Sequence, residues 1–139
     1  MTPLQIHLVR TTFASIAPSA QNVAALFYAR LFEIEPTLRP LFRGDLTEQG
    51  RKLMQMLGAA VAGLDRVREL APRLRELGRR HHEYGVRDVH YETVAVALLW
   101  TLEQGLGERF TAEVRDAWTK AYHLVAEAMK AGASVRAAA

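Results

Sequence analysis

Residues 70–86 read LAPRLRELGRRHHEYGV. Apolar side chains recur in this stretch every three or four residues, which predicts an α-helix with one buried face. The buried face consists of Leu70, Leu74, Leu77, His81 and Tyr84. Successive helical residues are rotated by about 100°, so His81 lies on the buried face while His82 points towards solvent. We predict that this helix begins at Pro72 and ends before Gly85.

An inward histidine such as His81 has two interpretations. Most often it is a core residue whose ring nitrogens are satisfied by hydrogen bonds. A zinc site is a poor explanation, because the chain has no cysteine and no His-Glu-x-x-His motif. A single inward imidazole does suit a metal already held by a macrocycle, since haem iron needs only one axial protein ligand. The residues of this helix leave both interpretations open.

Polar side chains also fall on the apolar faces of other predicted helices. Gln49 lies on the apolar line of its helix, and a buried amide needs a hydrogen-bond partner. It either faces a site inside the fold, or caps a neighbouring helix end near solvent. Tyr28 and Tyr122 lie on buried lines, where tyrosine is usually a core residue with a locally satisfied hydroxyl. Taken together with His81, these residues predict an apolar pocket for a diatomic ligand, with hydrogen-bond donors opposite the histidine.

Helical spacing continues along the whole chain, and no stretch alternates long enough to predict a strand. We predict an all-α domain of six to eight helices with short connections. The predicted helices start at or just after Thr2, Ser19, Asp45, Pro72, Asp88 and Thr111, and a helical turn lies between Pro36 and Phe42. The domain is expected to span residues 1–131, with the last helix ending near Ala131. Residues 132–139 are expected to form a frayed tail.

The composition indicates an ordinary globular protein. The chain has 139 residues, of which 50% are hydrophobic and 24% charged, so it differs from disordered sequences. No apolar run approaches the ~20 residues of a membrane span, and the N-terminus lacks the pattern of a secretory signal. We therefore expect a soluble cytoplasmic protein without a membrane partner, and a monomer or weak dimer.

The basic residues are concentrated in one segment. Six arginines lie within fifteen residues, namely Arg66, Arg68, Arg73, Arg75, Arg79 and Arg80. Glutamates are interleaved with them, and Glu69–Arg73 and Glu76–Arg80 have the i,i+4 spacing of solvated helix pairs. No aromatic residue lies among the arginines to stack on bases. The pattern favours a solvated face over a nucleic-acid site, and leaves an anionic partner as the alternative.

The chain resembles the single-domain bacterial globins related to the haem domain of flavohaemoglobins. The resemblance covers roughly residues 4–131 and depends on several specific blocks. These are LFYARLF at 26–32, PLF at 40–42, EQ at 48–49 with Leu53, Arg80-His81 followed by Tyr84-Gly85-Val86, His90-Tyr91, and AWTKAY at 117–122. The interval of thirty-two residues from Gln49 to His81 is the one this family uses between its distal glutamine and proximal histidine.

The resemblance implies the globin fold, bound haem b and a role for each matching residue. His81 matches the proximal ligand of the iron, and Tyr28 and Gln49 match the distal pair that hydrogen-bonds bound dioxygen. The other matches are Phe42 on the porphyrin face, Leu53 over the distal face, Tyr91 and Tyr122 near the proximal histidine, and Leu77 and Val94 along the pocket. The family's late glutamate, which makes the proximal imidazole more electron-donating, aligns near Ala133, where this chain has no acid. Strong peroxidase-like chemistry is therefore not expected.

The resemblance implies reversible binding of dioxygen, and of NO and CO, at ferrous iron. An alternative is nitric oxide dioxygenation, in which NO is oxidised to nitrate and a separate reductase restores the iron. Others are a gas sensor or carrier, and a haem-free helical module that uses the arginines. Lys52, or Tyr28 as a phenolate, remains an open alternative as sixth ligand of ferric iron.

Overall fold

The computed structural model describes the backbone of residues 1–138 and the side chains of residues 1–134. Over these residues the chain forms six α-helices, three short 3-10 helices and no strand. The α-helices are α1 (Pro3–Ile16), α2 (Ala20–Ile34), α3 (Leu46–Ala62), α4 (Val67–Glu83), α5 (Asp88–Leu106) and α6 (Ala112–Ala138). The 3-10 helices are Ala17–Ser19, Pro36–Leu41 and Gly107–Arg109. The predicted all-α class is confirmed.

Side-chain caps determine where several helices begin. Thr2 forms a capping box with Gln5 at the start of α1. The side chains of Asp45 and Thr111 each accept a hydrogen bond from a backbone N–H near the start of α3 and α6. These contacts satisfy amides that have no partner inside the helix, so the predicted starts of the three helices are confirmed.

Helix α4 begins earlier than predicted. It starts at Val67 and contains Pro72, which was expected to open it. The reason is the burial of Leu70, whose side chain packs within 3.2 Å of the Cβ position of Gly63, at the end of α3. This packing holds the preceding turn in helical form, although Pro72 lacks the N–H of a regular helical residue.

Two further boundaries differ from the prediction. The N-cap of α5 is Arg87 instead of Asp88, and its backbone N–H donates to Nδ1 of His90 at 2.9 Å. Helix α6 continues to Ala138, so the predicted end near Ala131 is too early. The extra turns are supported at Gly132, which is buried against the backbone of α4. Ala139 lies outside the described residues.

The packing of the helices separates the buried core into two clusters. Helix α2 packs on α3 and α5, whereas α4 packs mainly on α6. Helix α1 is fixed to α6 by Trp118, whose Nε1 donates to the buried Oγ1 of Thr12 at 2.9 Å. The first cluster is centred on α2 and its neighbours, and the second on α4, α6 and the start of α5. The apolar and aromatic residues among the predicted site residues lie in or against these two clusters.

Candidate functional site

The first wall of the site is formed by α2 and α3, which approach each other closely. A Cβ added at Gly50 of α3 would lie 2.9 Å from Cβ of Ala24 and 3.6 Å from Cε2 of Tyr28 on α2. Only a glycine permits this distance without a shift of one helix. The close approach places the buried Tyr28 directly against the helix that carries Gln49.

Aromatic side chains fix the ring of Tyr28. Phe42 lies edge-on to it, with ring centroids 5.3 Å apart, and Phe32 stacks on it at 6.0 Å. Phe27 adds a further edge contact at 5.4 Å, and Phe42 also meets Phe32 at 5.2 Å. Such aromatic pairs restrict ring orientation beyond simple burial. The wall is therefore rigid around Tyr28, and Phe42 forms its half-buried edge.

The hydroxyl of Tyr28 makes no hydrogen bond to another described residue. Burial raises the pKa of Tyr28 to about 12, because the phenolate would lose its hydration. The side chain therefore remains a neutral O–H donor near pH 7. Although the ring of Tyr28 is buried, its hydroxyl oxygen keeps some accessible surface, so this unpartnered donor is available to another group.

Gln49 has a partner within the protein. Its Nε2 donates a hydrogen bond to the backbone carbonyl of Arg43, in the loop before α3. The amide thus links the first turn of α3 to the loop that follows Phe42. The sequence left two possibilities for Gln49, and the structure shows the local contact instead of an amide directed into the interior.

The second wall carries His81 on α4. Nδ1 of His81 lies 2.9 Å from the carbonyl oxygen of Leu77, one turn earlier on the same helix. Because a carbonyl can only accept, Nδ1 must be the protonated nitrogen, which leaves the lone pair on Nε2. Burial lowers the pKa of His81, opposed by its bond to Leu77 and supported by the charge of Arg80. The imidazole is therefore held neutral with Nε2 available to a metal.

The neighbours of His81 are more exposed. His82 points to solvent, as predicted. Tyr84 was expected on the buried face but is 62% exposed, so that prediction is wrong. The physical reason is that α4 ends at Glu83, and Tyr84 as C-cap no longer continues the helical stripe.

Two tyrosines belong to the second cluster or pack against it. Tyr91 is buried, and Tyr122 of α6 donates its hydroxyl to the Tyr91 carbonyl at 2.6 Å. Burial raises the pKa of both phenols. The ammonium of Lys130 lies 5.6 Å from the centroid of the Tyr91 ring. These contacts fix Tyr91 in the second cluster and Tyr122 against it.

The arrangement fits a flat, largely apolar group between the two walls. Phe42, Leu53 and Val94 are only half-buried and pack against the first cluster. Leu77 and Tyr122 are half-buried against the second cluster, to which Tyr91 belongs. The free Nε2 of His81 would hold the iron of a haem, and the unpartnered hydroxyl of Tyr28 would donate a hydrogen bond to a ligand bound there. The residues present thus fit haem.

Other kinds of site have less support. In the part of the chain that the structure describes, no group of three or more histidines and acids is placed to hold a metal ion. No helix among the described residues has both the length and the apolar character needed to cross a membrane. Lys52 is exposed.

Comparison with known proteins agrees with the fold. The globin family profile matches residues 25–129. Neuroglobin-1 of Oncorhynchus mykiss is 30% identical, over 95% of this chain and 92% of that protein, and neuroglobin of Chaenocephalus aceratus is 31% identical, over 91% and 88%. An engineered carbene transferase derived from a candidate nitric oxide dioxygenase of Rhodothermus marinus has a TM-score of 0.89 and 26% identity, covering 99% of this chain and 96% of that one.

The chain belongs to the globin family. Members of this family generally bind haem, and the similarity to the Rhodothermus marinus structure fits a bacterial globin. The family and fold expected from the sequence motifs are confirmed. The roles of individual residues are the subject of the proposal below.

Some residues that shape the site were not found from the sequence. Gly50 and Gly78 allow close helix contacts, and Phe32 stacks on Tyr28. A glycine in the interior of a helix is a signal that could have been used, since it usually marks a close approach. The stacking of Phe32 had no comparable signal, because Phe32 lies at the edge of the apolar stripe and the helical spacing does not decide whether it faces Tyr28.

Proposed function

We propose that this globin binds haem b and reversibly binds diatomic gases, with dioxygen as the principal ligand. The observation that carries the proposal is the state of His81, whose Nδ1–H is engaged by the Leu77 carbonyl. A hydrogen bond at one ring nitrogen fixes the tautomer and orients the other nitrogen as a metal ligand. Haem supplies a ferrous iron at which the gas binds.

In this proposal, side chains of this chain hydrogen-bond the gas ligand, exclude water and line the pocket. Tyr28 donates its hydroxyl hydrogen bond to the partly negative gas ligand, in surroundings where apolar side chains strengthen the bond. Phe42 and Leu53 exclude water on the same side, and Leu77, Val94, Tyr91 and Tyr122 complete the pocket. Gln49 contributes a second donor through the other N–H of its amide, or after its amide leaves the Arg43 carbonyl.

The test compares two adjacent histidines, and far-UV circular dichroism checks that each variant folds. We expect the parent protein and His82→Gly to show a Soret band that shifts on reduction with dithionite and again under CO. His81→Gly is expected to lose this spectrum and to regain it with added imidazole, which replaces the missing ligand. A parent spectrum without a Soret band after addition of hemin would refute haem binding. Equal spectra for both variants would refute the assignment of His81.

Nitric oxide dioxygenation is a second candidate, favoured by the similarity to the Rhodothermus marinus protein. It uses the same pocket, so the residues do not separate the two functions. Steady-state consumption of NO with an added reductase distinguishes them. Turnover limited to one equivalent excludes the enzyme and leaves a binding protein.

A further inference from the structure

A groove runs between α3 and α4, beside the proposed haem site. Its volume is about 340 Å³, and its apolar lining includes the half-buried side chains of Met56 on α3 and Leu77 on α4. The carbonyl of Leu77 also holds Nδ1 of His81. Met56 follows Gln49 by seven residues, so the two lie on the same flank of α3. The groove is therefore one edge of the gap that is proposed to hold haem.

Two arginines of α4, Arg73 and Arg80, line this groove. They are seven residues apart, so they lie within about 20° of each other around the helix and about 10 Å apart along it. Leu77 lies between them along the helix and within about 60° of both around it. Both arginine side chains are exposed, so they border the groove on its solvent side. The groove therefore has an apolar interior and a cationic rim.

The protein itself occupies little of these two guanidinium groups. The Arg73 side chain forms neither a hydrogen bond nor an ion pair with any residue that the structure describes. The Arg80 side chain has one ion-pair contact, from Nε to Oε1 of Glu76 at 3.8 Å, which is too long for a hydrogen bond. Glu76 instead accepts a hydrogen bond from Nε of Arg79 at 2.9 Å. Both groove arginines therefore keep donors for the carboxylates of another molecule.

We propose that Arg73 and Arg80 bind the two carboxylates of haem b at this edge of the gap. The inference rests on the proposed function, since haem b carries two propionates on one side of an otherwise apolar macrocycle. A buried carboxylate without a partner is unfavourable, so the propionate side should face the groove while the apolar side lies between the walls. Charge-assisted hydrogen bonds from the two arginines would then fix the orientation of the haem.

Three other basic residues close to the site in sequence fit this role less well. Arg51, Lys52 and Arg87 are exposed, and none of them lines the groove. Arg51 is already engaged by Glu48 in an ion pair. The ammonium of Lys52 is a point charge, whereas a guanidinium matches a carboxylate with two parallel donors. The groove arginines are therefore the better partners for the propionates.

The test compares hemin with hemin dimethyl ester, in which both carboxylates are neutral esters. The groove variant combines Arg73→Gln and Arg80→Gln. The control combines Arg68→Gln and Arg75→Gln, which removes the same charge from exposed positions of α4 about 120–160° away around the helix. The rate of haem loss is measured by transfer to excess apomyoglobin, at ionic strengths of about 0.01 M and about 0.15 M. Far-UV circular dichroism checks that each variant folds.

We expect the groove variant to lose hemin roughly fivefold faster than the parent at low salt, as the loss of two exposed ion pairs predicts, and the control to change little. Higher salt is expected to reduce this difference. The dimethyl ester should leave the parent and the groove variant at the same rate, because it has no carboxylate to bind. Arg73→Lys combined with Arg80→Lys keeps the charge without the paired donors, so it should lose hemin at an intermediate rate.

Equal rates of hemin loss from the groove variant and the control would overturn the proposal, since the groove would then have no particular effect. So would a loss of the dimethyl ester that is accelerated as much as that of hemin, because the arginines would then support the fold instead of the carboxylates. Palmitate bound by the haem-free protein through the two arginines, with hemin loss unchanged, would assign the groove to a free fatty acid. A parent without a Soret band would instead refute the proposed function, and this inference with it.

Discussion

The phenol of Tyr28 combines a fixed position with an unsatisfied hydroxyl. Three phenylalanines restrain its ring, and the close contact at Gly50 prevents α3 from moving inward. Because burial raises its pKa to about 12, the hydroxyl remains a donor across the physiological range. A preorganised donor loses little entropy when a ligand arrives.

The substitution Tyr28→Phe is expected to increase the rate of oxygen dissociation by about tenfold, which corresponds to the loss of one hydrogen bond. Phenylalanine keeps the aromatic contacts, so folding should be preserved. Oxygen release is measured by stopped-flow displacement with CO. The exposed Tyr84 provides the control, as Tyr84→Phe removes the same hydroxyl outside the pocket. An unchanged rate in Tyr28→Phe would show that its hydroxyl does not contact the ligand.

For individual residues, the sequence predicted which side chains are buried better than it predicted their hydrogen-bond partners. The inward positions of His81 and Tyr28 followed from helical spacing, because spacing determines which face a residue occupies. The contact of Gln49 with Arg43 was not predictable, since it depends on the path of the loop around Gly44. Tyr84 was misplaced because the periodic pattern shows which face a residue occupies, but not whether another element covers that face at the end of the helix.

The crossing of α4 and α6 depends on two glycines. A Cβ at Gly78 would lie 1.9 Å from the carbonyl oxygen of Met129, and one at Gly132 would lie 2.0 Å from that of Arg75. The two backbones are therefore in direct contact just before His81. This contact fixes α4 against α6 near His81, so the two glycines would position the proposed iron ligand indirectly.

Replacing Gly78 by alanine is expected to lower the free energy of unfolding by about 2 kcal/mol, because backbone atoms must separate to admit the methyl group. The α4 helix is displaced as a result, and the rate of haem loss should rise. Chemical denaturation and haem transfer to apomyoglobin measure the two effects.

Gly58→Ala is the matched control, since its added Cβ meets only Phe13 ring atoms at 3.5 Å or more. Without a clash, alanine in a helix interior should stabilise the protein by about 0.5–1 kcal/mol. The two substitutions are thus expected to have opposite signs. A stabilising Gly78→Ala would contradict the close crossing.

The starts of helices were predictable where the sequence contains a side chain that can cap the first amides. Thr2, Asp45 and Thr111 carry oxygens that satisfy the first amides of a helix, so the local sequence determines the start. The start of α4 and the end of α6 depend on contacts between helices, at Leu70 and Gly132. Such tertiary contacts are not visible in a local pattern.

In the whole molecule, two apolar clusters replace a single continuous core. Several apolar residues that pack against one or the other cluster are only half-buried, among them Leu53, Leu57, Leu77 and Val94. Covering their remaining exposed apolar area would stabilise the protein, because apolar surface in contact with water opposes folding. A flat apolar group inserted between the clusters would cover these residues. Haem is therefore expected to contribute to the stability of the fold as well as to its function.

Binding of haem is expected to raise the melting temperature of this protein by about 10 °C, as a ligand at roughly a hundredfold its dissociation constant stabilises by about 2.7 kcal/mol. The comparison uses acid-butanone-extracted protein before and after reconstitution, followed by circular dichroism. His81→Gly should show a smaller rise, because the axial bond is lost while apolar contacts remain. Equal melting temperatures with and without haem, despite a haem spectrum, would mean that haem binds the folded and the unfolded chain equally well, so that binding does not depend on the folded pocket. Haem must couple the two clusters if it occupies that gap, so the transition should also become sharper on reconstitution.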